Sequence, residues 1–204
     1  MTVDHALAVP TDEQIRALHE RIAPHEEAFA LVYTHCRIVC AVAEQLLDRC
    51  PPGLNVELVR AGSLLHDIGV YRLYGATGDL DHENYVRHGV LGHALLRDLG
   101  FSERVSRFCS HHTGVGLTRE DVLRQCLPLP VADYTADTPE EQLVLYADKF
   151  HSKTTPPAFV TAASYAAGVR RFGADKVARF AALVEQFGEP DLRLLSDRYR
   201  QPIV

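Results

Sequence analysis

The sequence has no excess of basic residues and no long apolar run. Its 204 residues include 21 lysines and arginines against 27 aspartates and glutamates, which gives a formal net charge of −6 at pH 7. Because proteins that bind nucleic-acid duplexes neutralise phosphates with lysine and arginine, this balance argues against a nucleic-acid duplex as partner. No apolar stretch approaches the roughly 18 residues of a membrane span, and the amino-terminal stretch MTVDHALAVPTDEQ has no basic segment. We therefore predict no membrane span, no membrane partner and no signal peptide.

Cysteine is sparse and lacks the spacing of a metal site or a disulfide framework. No two cysteines form a CxxC motif, and their number is odd: they are Cys36, Cys40, Cys50, Cys109 and Cys126. A disulfide-stabilised secreted domain is typically short and has an even set of cysteines. The pattern predicts that most of them are core residues or free thiols in a reducing cytoplasm.

Strand-type alternation of useful length is also missing from the sequence, whereas helical spacing of apolar residues occurs along most of it. With 47% hydrophobic and 24% charged residues, a chain of this length is in the size range of one compact domain. We therefore predict an all-α fold in which residues 1–204 form a single domain.

Start and stop signals divide the chain into predicted helices. Thr11 begins a capping-box pattern, and the helix that follows should end before Pro24. A long amphipathic helix is predicted over 25–49, Asn55 is a candidate N-cap, and Thr138 followed by proline and two acids is a strong start signal. A loop is predicted over 70–83, and two or three helices are predicted near 157–171, 174–187 and 191–199.

Seven polar residues interrupt apolar helical faces or stand at the ends of predicted helices. They are His35, His66, Asp67, His88, His111, His112 and Asp148. Each of them alone is more often structural than functional. Together they lie on successive helices that must face one core, where buried polar groups are costly unless they are paired or bind a metal. Neutral imidazoles and carboxylates are ligands for zinc, manganese, iron and cobalt, so the set predicts a metal site.

The stretch SLLHDIGV, residues 63–70, places two of these polar residues side by side. Adjacent residues on an ideal helix point about 100° apart, so His66 and Asp67 could not both face one ion from the middle of a helix. We predict that the helix ends here and that Gly69 frees the backbone, which allows both side chains to turn inward.

At these residues the chain resembles the HD-domain superfamily of metal-dependent phosphohydrolases. The order His35, His66-Asp67, Asp148 is similar to the H…HD…D signature, and HDIG is the spelling of one branch. The stretches HGVLG at 88–92 and HHTG at 111–114 resemble further histidine segments of that branch. The resemblance covers a metal-site core of about residues 30–153 and leaves 154–204 as a C-terminal helical extension, whose sequence is similar to the end of small HDIG proteins.

The resemblance implies a single-domain HD-type helical bundle with one or two divalent metal ions, which could be Fe, Mn, Zn, Co or Mg. The first ion would be held by His35, His66, Asp67 and Asp148. His66 and Asp67 would be the catalytic residues, because metal ions in such sites activate water for attack at phosphorus.

A second ion is implied by the additional histidines. Asp67 has two oxygens and could bridge to an ion held by His88 and His112. His111 would be a further ligand or a hydrogen-bonding partner of a ligand.

Three basic residues are candidates for contact with an anionic substrate: Arg72, Lys149 and Lys153. Many relatives have a lysine directly after HDIG, whereas this chain has Val70. Arg72 is therefore a candidate phosphate contact or a solvated loop residue, and lysines that follow a helix are also favoured by its dipole alone. The GYP element of cyclic-di-GMP phosphodiesterases is absent after His112, which argues against that substrate.

The remaining histidines are given weaker roles. His82 could reach the site from the predicted loop. Surface positions are predicted for His5, His19, His25 and His93.

Three functions are compatible with this pattern. The leading hypothesis is a phosphohydrolase that cleaves a phosphoester or phosphoanhydride of a small, nucleotide-like metabolite. The others are a mixed-valence di-iron oxygenase of the HD fold and a module that senses a nucleotide without turning it over. The intact ligand set favours an enzyme over a sensor, and a homodimer is a possible assembly.

Overall fold

The computed structural model describes residues 9–50 and 53–204, and over these ranges the fold is all-α, as predicted. The α-helices are α1 (Asp12–Ile22), α2 (Glu26–Leu47), α3 (Val56–Leu65), α4 (His88–Asp98), α5 (Glu103–Ser110), α6 (Arg119–Arg124), α7 (Pro139–Asp148), α8 (Ala162–Val169), α9 (Ala174–Phe187) and α10 (Leu192–Tyr199). Shorter 3-10 helices span Ile68–Leu73, Tyr85–Arg87 and Arg170–Phe172.

The predicted caps fix several helix boundaries. The Thr11 side chain accepts a hydrogen bond from the Gln14 backbone in a capping box, and α1 ends before Pro24. Asn55 caps α3 through the Leu58 amide, and Thr138 caps α7 in another capping box. Each of these side chains satisfies an amide that the first helical turn leaves without a backbone partner.

Helix α2 lies at the centre of the bundle and packs against α3 and α7. Its apolar residues are buried along most of its length, among them Val32, Cys36, Val39, Ala43 and Leu46. By length and composition alone this helix could also cross a membrane, but 56% of the apolar window is buried inside the protein, as expected of a core helix. All five cysteines are free thiols.

Gly69 has a different role from the one predicted. Helix α3 ends at Leu65, before this glycine, and Gly69 belongs to the 3-10 helix that replaces the predicted loop at 70–73. A Cβ atom on Gly69 would lie 2.0 Å from the His88 carbonyl oxygen and 2.3 Å from the Gly92 amide nitrogen. The residue is therefore required for close packing against α4 and not for freeing the backbone.

Two short elements were not predicted. Helix α6 lies ahead of the helix predicted to start at Thr138, in a segment where no helix was predicted. Strands β1 (His151–Ser152) and β2 (Ala158–Phe159) form an antiparallel hairpin just after α7, where the sequence shows no useful alternation.

His19 was predicted to lie at the surface, and this prediction is wrong because the residue is wholly buried. Its Nδ1 lies 2.9 Å from the Tyr71 hydroxyl and its Nε2 lies 2.8 Å from the Leu64 carbonyl oxygen. Both ring nitrogens are thus paired inside the core. His25 and His93 are partly exposed, and His5 lies outside the described residues.

The C-terminal helices pack onto the same core, to which they contribute Phe180, Leu183 and Phe187. The last residues then return to the hairpin: the Phe159 amide donates to the Pro202 carbonyl, and the Val204 amide donates to the Phe159 carbonyl, each at 2.8 Å. This pairing brings the carboxyl-terminal tail, residues 201–204, close to the end of α7.

Candidate metal centre

Six of the predicted ligands converge in one buried cluster. His35 comes from the middle of α2, His66 and Asp67 follow α3, His88 begins α4, His112 follows α5, and Asp148 ends α7. All are buried except Asp148, whose side chain is 15% exposed. The cluster therefore joins five helices that are far apart in sequence.

One side of the cluster is built around His35. Its Nε2 atom lies 3.2 Å from His66 Nε2 and 3.0 Å from Asp148 Oδ1. It also lies 3.3 Å from Asp67 Oδ2. Two imidazoles and two carboxylates thus direct donor atoms at one point.

The other side is built around the second oxygen of Asp67. Asp67 Oδ1 lies 3.3 Å from His88 Nε2 and 3.5 Å from His112 Nε2. The two histidine Nε2 atoms are 3.0 Å apart. Asp67 therefore directs one carboxylate oxygen to each side of the cluster.

The Nδ1 atoms of the histidines are occupied by partners outside the cluster. Those of His66, His88 and His112 lie 2.7, 2.6 and 2.9 Å from the carbonyl oxygens of Ser63, Tyr85 and Phe108. A carbonyl can only accept, so each Nδ1 is protonated, and in the neutral form of each ring the lone pair is on Nε2. Metal-binding histidines are commonly oriented in this way.

The pKa values of the cluster residues favour the protonation states that bind a cation. Burial lowers the pKa of His35 to about 3 and that of His88 to about 4, and it also lowers the pKa of His112. The pKa of Asp67 is held well below its ordinary value because Lys153 and His66 outweigh the effect of burial. Burial alone would lower the pKa of His66, but Asp67 and other neighbours raise it. Most of the cluster is thus neutral imidazole and ionised carboxylate.

A divalent cation fits these residues. Asp67 Oδ1 is fully buried, yet it accepts no hydrogen bond from the described part of the chain, and such an atom is costly unless a cation binds it. Donor atoms lie within 4.8 Å of one another in two groups, His35–His66–Asp148 and His66–Asp67–His112. Mixed nitrogen and oxygen donors of this kind suit first-row transition ions.

Two lysines contact the carboxylates of the cluster. Lys153 Nζ donates to Asp67 Oδ2. Lys149 Nζ lies 2.5 Å from Asp148 Oδ2 and 2.9 Å from the His112 carbonyl oxygen. Lys149 is therefore held by protein groups on two sides, whereas Lys153 has one ionic partner among the described residues.

A cavity of about 730 Å³ opens beside the cluster. Its wall includes Asp148 together with Lys149 and Lys153, so both lysines border a space that a ligand could fill. Aromatic side chains form much of the remaining wall: Tyr74, His82, Tyr85, His151 and Tyr165. His82 thus reaches the cavity, as the sequence suggested.

The family model described as HD domain matches residues 32–153. The chain belongs to the HD domain family. This match spans the whole cluster, from His35 to Asp148, and confirms the resemblance at the level of the superfamily. Assignment to the HDIG branch stays a prediction.

Several relatives of this HD protein share part of its sequence. The uncharacterised protein MJ0778 of Methanocaldococcus jannaschii is 38% identical over 120 residues, which are 57% of this chain and 64% of that protein. The tRNA (cytidine(56)-2'-O)-methyltransferase of Picrophilus torridus is 35% identical over 131 residues, 64% of this chain but 34% of the methyltransferase. The methyltransferase of the same name from Thermoplasma volcanium is 36% identical over 94 residues, 46% of this chain and 24% of the enzyme. This chain therefore spans less than two thirds of each of these relatives.

Solved structures confirm the fold. The HD domain of the phosphodiesterase PgpH from L. monocytogenes superposes with a TM-score of 0.53 at 15% identity and covers 92% of this chain and 100% of that domain. The same domain in complex with cyclic-di-AMP gives a TM-score of 0.52 at 16% identity and covers 92% of this chain and 97% of that one. At this identity the likeness concerns the fold alone.

Two predicted site residues, His111 and Arg72, lie apart from the buried cluster. His111 Nδ1 lies 2.6 Å from the Ser110 hydroxyl, and its ring packs near Tyr134. Arg72 is exposed on the 3-10 helix and does not line the cavity. In both cases a neighbouring residue in the sequence points inward, and the backbone turns the predicted residue away.

Three residues at the site had no role predicted from the sequence. Tyr85 supplies the carbonyl that orients His88, and its own hydroxyl is buried without a hydrogen-bond partner in the described residues. Tyr165 comes from α8, beyond the residues of the family match. His151 contacts His35. Of these, only His151 had a sequence signal, because it closely follows Asp148.

Proposed function

We propose that this protein is a metal-dependent phosphohydrolase that cleaves a phosphoester or phosphoanhydride of a small, nucleotide-like substrate. The observation that carries the proposal is the position of Asp67, whose two oxygens face two separate sets of imidazole nitrogens. A carboxylate in this position can bridge two cations, as in hydrolytic two-metal sites.

The ligand roles follow from the distances. His35, His66 and Asp148 with Asp67 Oδ2 would hold one divalent cation. His88 and His112 with Asp67 Oδ1 would hold the second. When bound, such cations polarise phosphoryl oxygens and lower the pKa of water.

Lys153 is the candidate residue for substrate binding. Its ammonium contacts Asp67 Oδ2 and also borders the cavity. A cation at Asp67 would compete with this contact, which would leave Lys153 free to meet an anionic phosphoryl group. Lys149 is instead held by Asp148 and the His112 carbonyl, so we assign it to positioning Asp148.

The size and lining of the cavity favour a substrate with an aromatic base. About 730 Å³ is within the usual range of small-molecule sites. Tyr74, Tyr85 and Tyr165 offer ring faces, and Tyr85 also offers a buried hydroxyl without a partner among the described residues. The complex of the PgpH domain with cyclic-di-AMP is consistent with a nucleotide ligand for this fold. The matches to the two methyltransferases cover 34% or less of the length of those proteins, so their name describes much sequence that this chain does not match.

The proposed reaction needs no protein nucleophile. The oxygen of water forms a bond to phosphorus, the bond from phosphorus to the leaving oxygen breaks, and that oxygen takes up a proton. Cys36 and Cys109 are buried in the hydrophobic core, and burial raises the pKa of the Cys109 thiol well above its ordinary value. Neither of these thiols is suited to attack.

The test is a substrate screen with matched variants. Protein loaded in turn with Mn²⁺, Fe²⁺, Co²⁺ or Zn²⁺ is incubated with a panel of phosphorylated metabolites, and phosphate or phosphoryl product is measured. We expect turnover that is lost in His66→Ala and Asp67→Ala but kept in Cys126→Ser, since Cys126 is an exposed free thiol. Metal binding without turnover of any phosphorylated compound would contradict the proposal and favour a sensing role. Turnover of another substrate that requires dissolved oxygen would favour the oxygenase.

A further inference from the structure

His35 is the one ligand of its histidine set whose Nδ1 is not held by a backbone carbonyl. His35 Nδ1 lies 2.8 Å from His151 Nδ1. His151 Nε2 in turn lies 2.7 Å from the side-chain oxygen of Gln201. A chain of two hydrogen bonds thus connects the metal cluster to the carboxyl-terminal tail.

The direction of this chain determines what His35 can bind. Two nitrogens that face each other can share only one proton, so one of them donates and the other accepts. If Gln201 accepts from His151 Nε2, then His151 Nδ1 is an acceptor and His35 Nδ1 is the donor. His35 Nε2 then has a free lone pair toward the cluster, as metal ligation requires.

The opposite direction closes the site to a cation. With a proton on His35 Nε2, that atom would donate to Asp148 Oδ1, 3.0 Å away. His151 Nδ1 would then donate to His35, and Gln201 would have to present its amide group instead of its oxygen. The residue at position 201 therefore decides which tautomer of His35 is favoured.

The tail is held in place independently of this contact. The backbone amide of Gln201 donates to the Ser196 carbonyl at 3.2 Å, and the Ser196 hydroxyl donates to the backbone carbonyl of Gln201 at 2.6 Å. The hydrogen bonds of Pro202 and Val204 to Phe159 fix the following residues. Gln201 is thus presented to His151 by the backbone of α10 and by the hairpin, outside residues 32–153 of the family match.

We propose that Gln201 is a positioning residue that acts through His151 to hold His35 in its metal-binding tautomer. The tail thereby sets the affinity of the cation site formed by His35, His66, Asp67 and Asp148. The proposal rests on the metal site of the proposed function, but not on hydrolysis.

The test compares Mn²⁺ binding by full-length variants, with free Mn²⁺ followed by electron paramagnetic resonance. Gln201→Met keeps the side-chain length and removes the acceptor, so we expect affinity at one of two sites to fall about 10–100-fold, as for loss of other partners of ligating histidines. Gln201→Glu keeps an acceptor and should bind at least as tightly as wild type. Gln186→Met makes the same substitution at an exposed residue and should leave binding unchanged.

A second measurement reports the tautomer itself. Nitrogen chemical shifts of the imidazoles in metal-free protein should place the shared proton on His35 Nδ1 in wild type and Gln201→Glu, and should change in Gln201→Met. This readout would not respond to a merely structural role of the tail.

The outcomes separate this proposal from the proposed function. Wild-type affinity in Gln201→Met, or equal weakening in Gln201→Met and Gln201→Glu, would overturn the role of Gln201 and leave the hydrolase proposal standing. Failure of the wild type to bind any of Mn²⁺, Fe²⁺, Co²⁺ and Zn²⁺ would overturn both. Intact, Gln201-dependent binding without turnover of any phosphorylated compound would overturn only the hydrolase.

Discussion

Asp67 is the residue on which the proposed metal site depends. Its side chain is 1% exposed, and its two oxygens contact different histidines. An ionised carboxylate in such a position must be neutralised, and Lys153 satisfies one oxygen only. In the proposed site, this residue would share its charge between two cations.

This arrangement predicts how metal content responds to mutation. Asp67→Ala should lose both ions, since each site loses a donor and the shared negative charge. His88→Ala or His112→Ala should lose one ion and keep the other, because the His35 side retains its donors. Elemental analysis of purified, metal-saturated proteins measures this directly. A wild type that never exceeds one ion per chain would reduce the site to a mononuclear one.

His19 leads to a prediction about pH. Burial lowers the pKa of His19 from 6.5 to about 4, so the folded state resists a proton that the unfolded state accepts. Stability is therefore lost as the pH falls from about 6.5 to about 4, by up to about 3 kcal/mol for this group. Gln cannot be protonated, so His19→Gln should be less stable than wild type at pH 7 by a margin that shrinks towards pH 4. Urea denaturation at both pH values tests this, and a margin independent of pH would contradict it.

At the scale of elements, the sequence predicted what local signals determine. The caps at Thr11, Asn55 and Thr138 are local, and the helices they begin lie where expected. The 3-10 helix at Ile68–Leu73, the short helix α6 and the hairpin after α7 were missed. Such short elements are stabilised by tertiary packing more than by their own propensity.

For the candidate site, the sequence indicated which residues come together but not how their side chains are oriented. The order of histidines and aspartates identified the cluster, because ligand type and helical position are visible in the sequence. The direction in which each side chain points is not visible in the sequence. His111 and Arg72 turn away from the site. The contact between His151 and Gln201 joins residues 50 positions apart, which no local pattern predicts.

The packing of the 3-10 helix against α4 gives the next prediction. Gly69→Ala would place a methyl group against the His88 carbonyl, so the start of α4 must move at a cost of at least about 2 kcal/mol. Gly168→Ala is the matched control, because it lies in α8 with no atom within 4 Å of the added carbon and should stabilise by up to about 1 kcal/mol.

Urea denaturation measures both glycine variants. Because His88 would move with α4, Gly69→Ala should also weaken the second cation site. Equal stabilities for the two variants would show that the close approach of these elements is not maintained in solution.

At the scale of the whole molecule, the cluster connects five helices through buried polar groups. A cation bound only by the folded state stabilises it by about 2.7 kcal/mol at a concentration of 100 Kd. For a chain of this size that corresponds to about 5–10 °C in Tm. Chelation should therefore lower the Tm of the metal-loaded wild type by this amount and leave Asp67→Ala unchanged. An unchanged wild-type melting curve after complete metal removal would contradict the convergence of these helices on a cation.

The fate of water oxygen tests the hydrolase proposal most directly. The compound that turns over fastest in the substrate screen is hydrolysed in water enriched in heavy oxygen, with and without dissolved oxygen, and the products are analysed by mass spectrometry. We predict that the label appears on phosphate, or on the phosphoryl product of a diester, at the same rate under both conditions. Label found only on the alcohol product, or turnover that stops when dissolved oxygen is removed, would contradict hydrolysis at phosphorus.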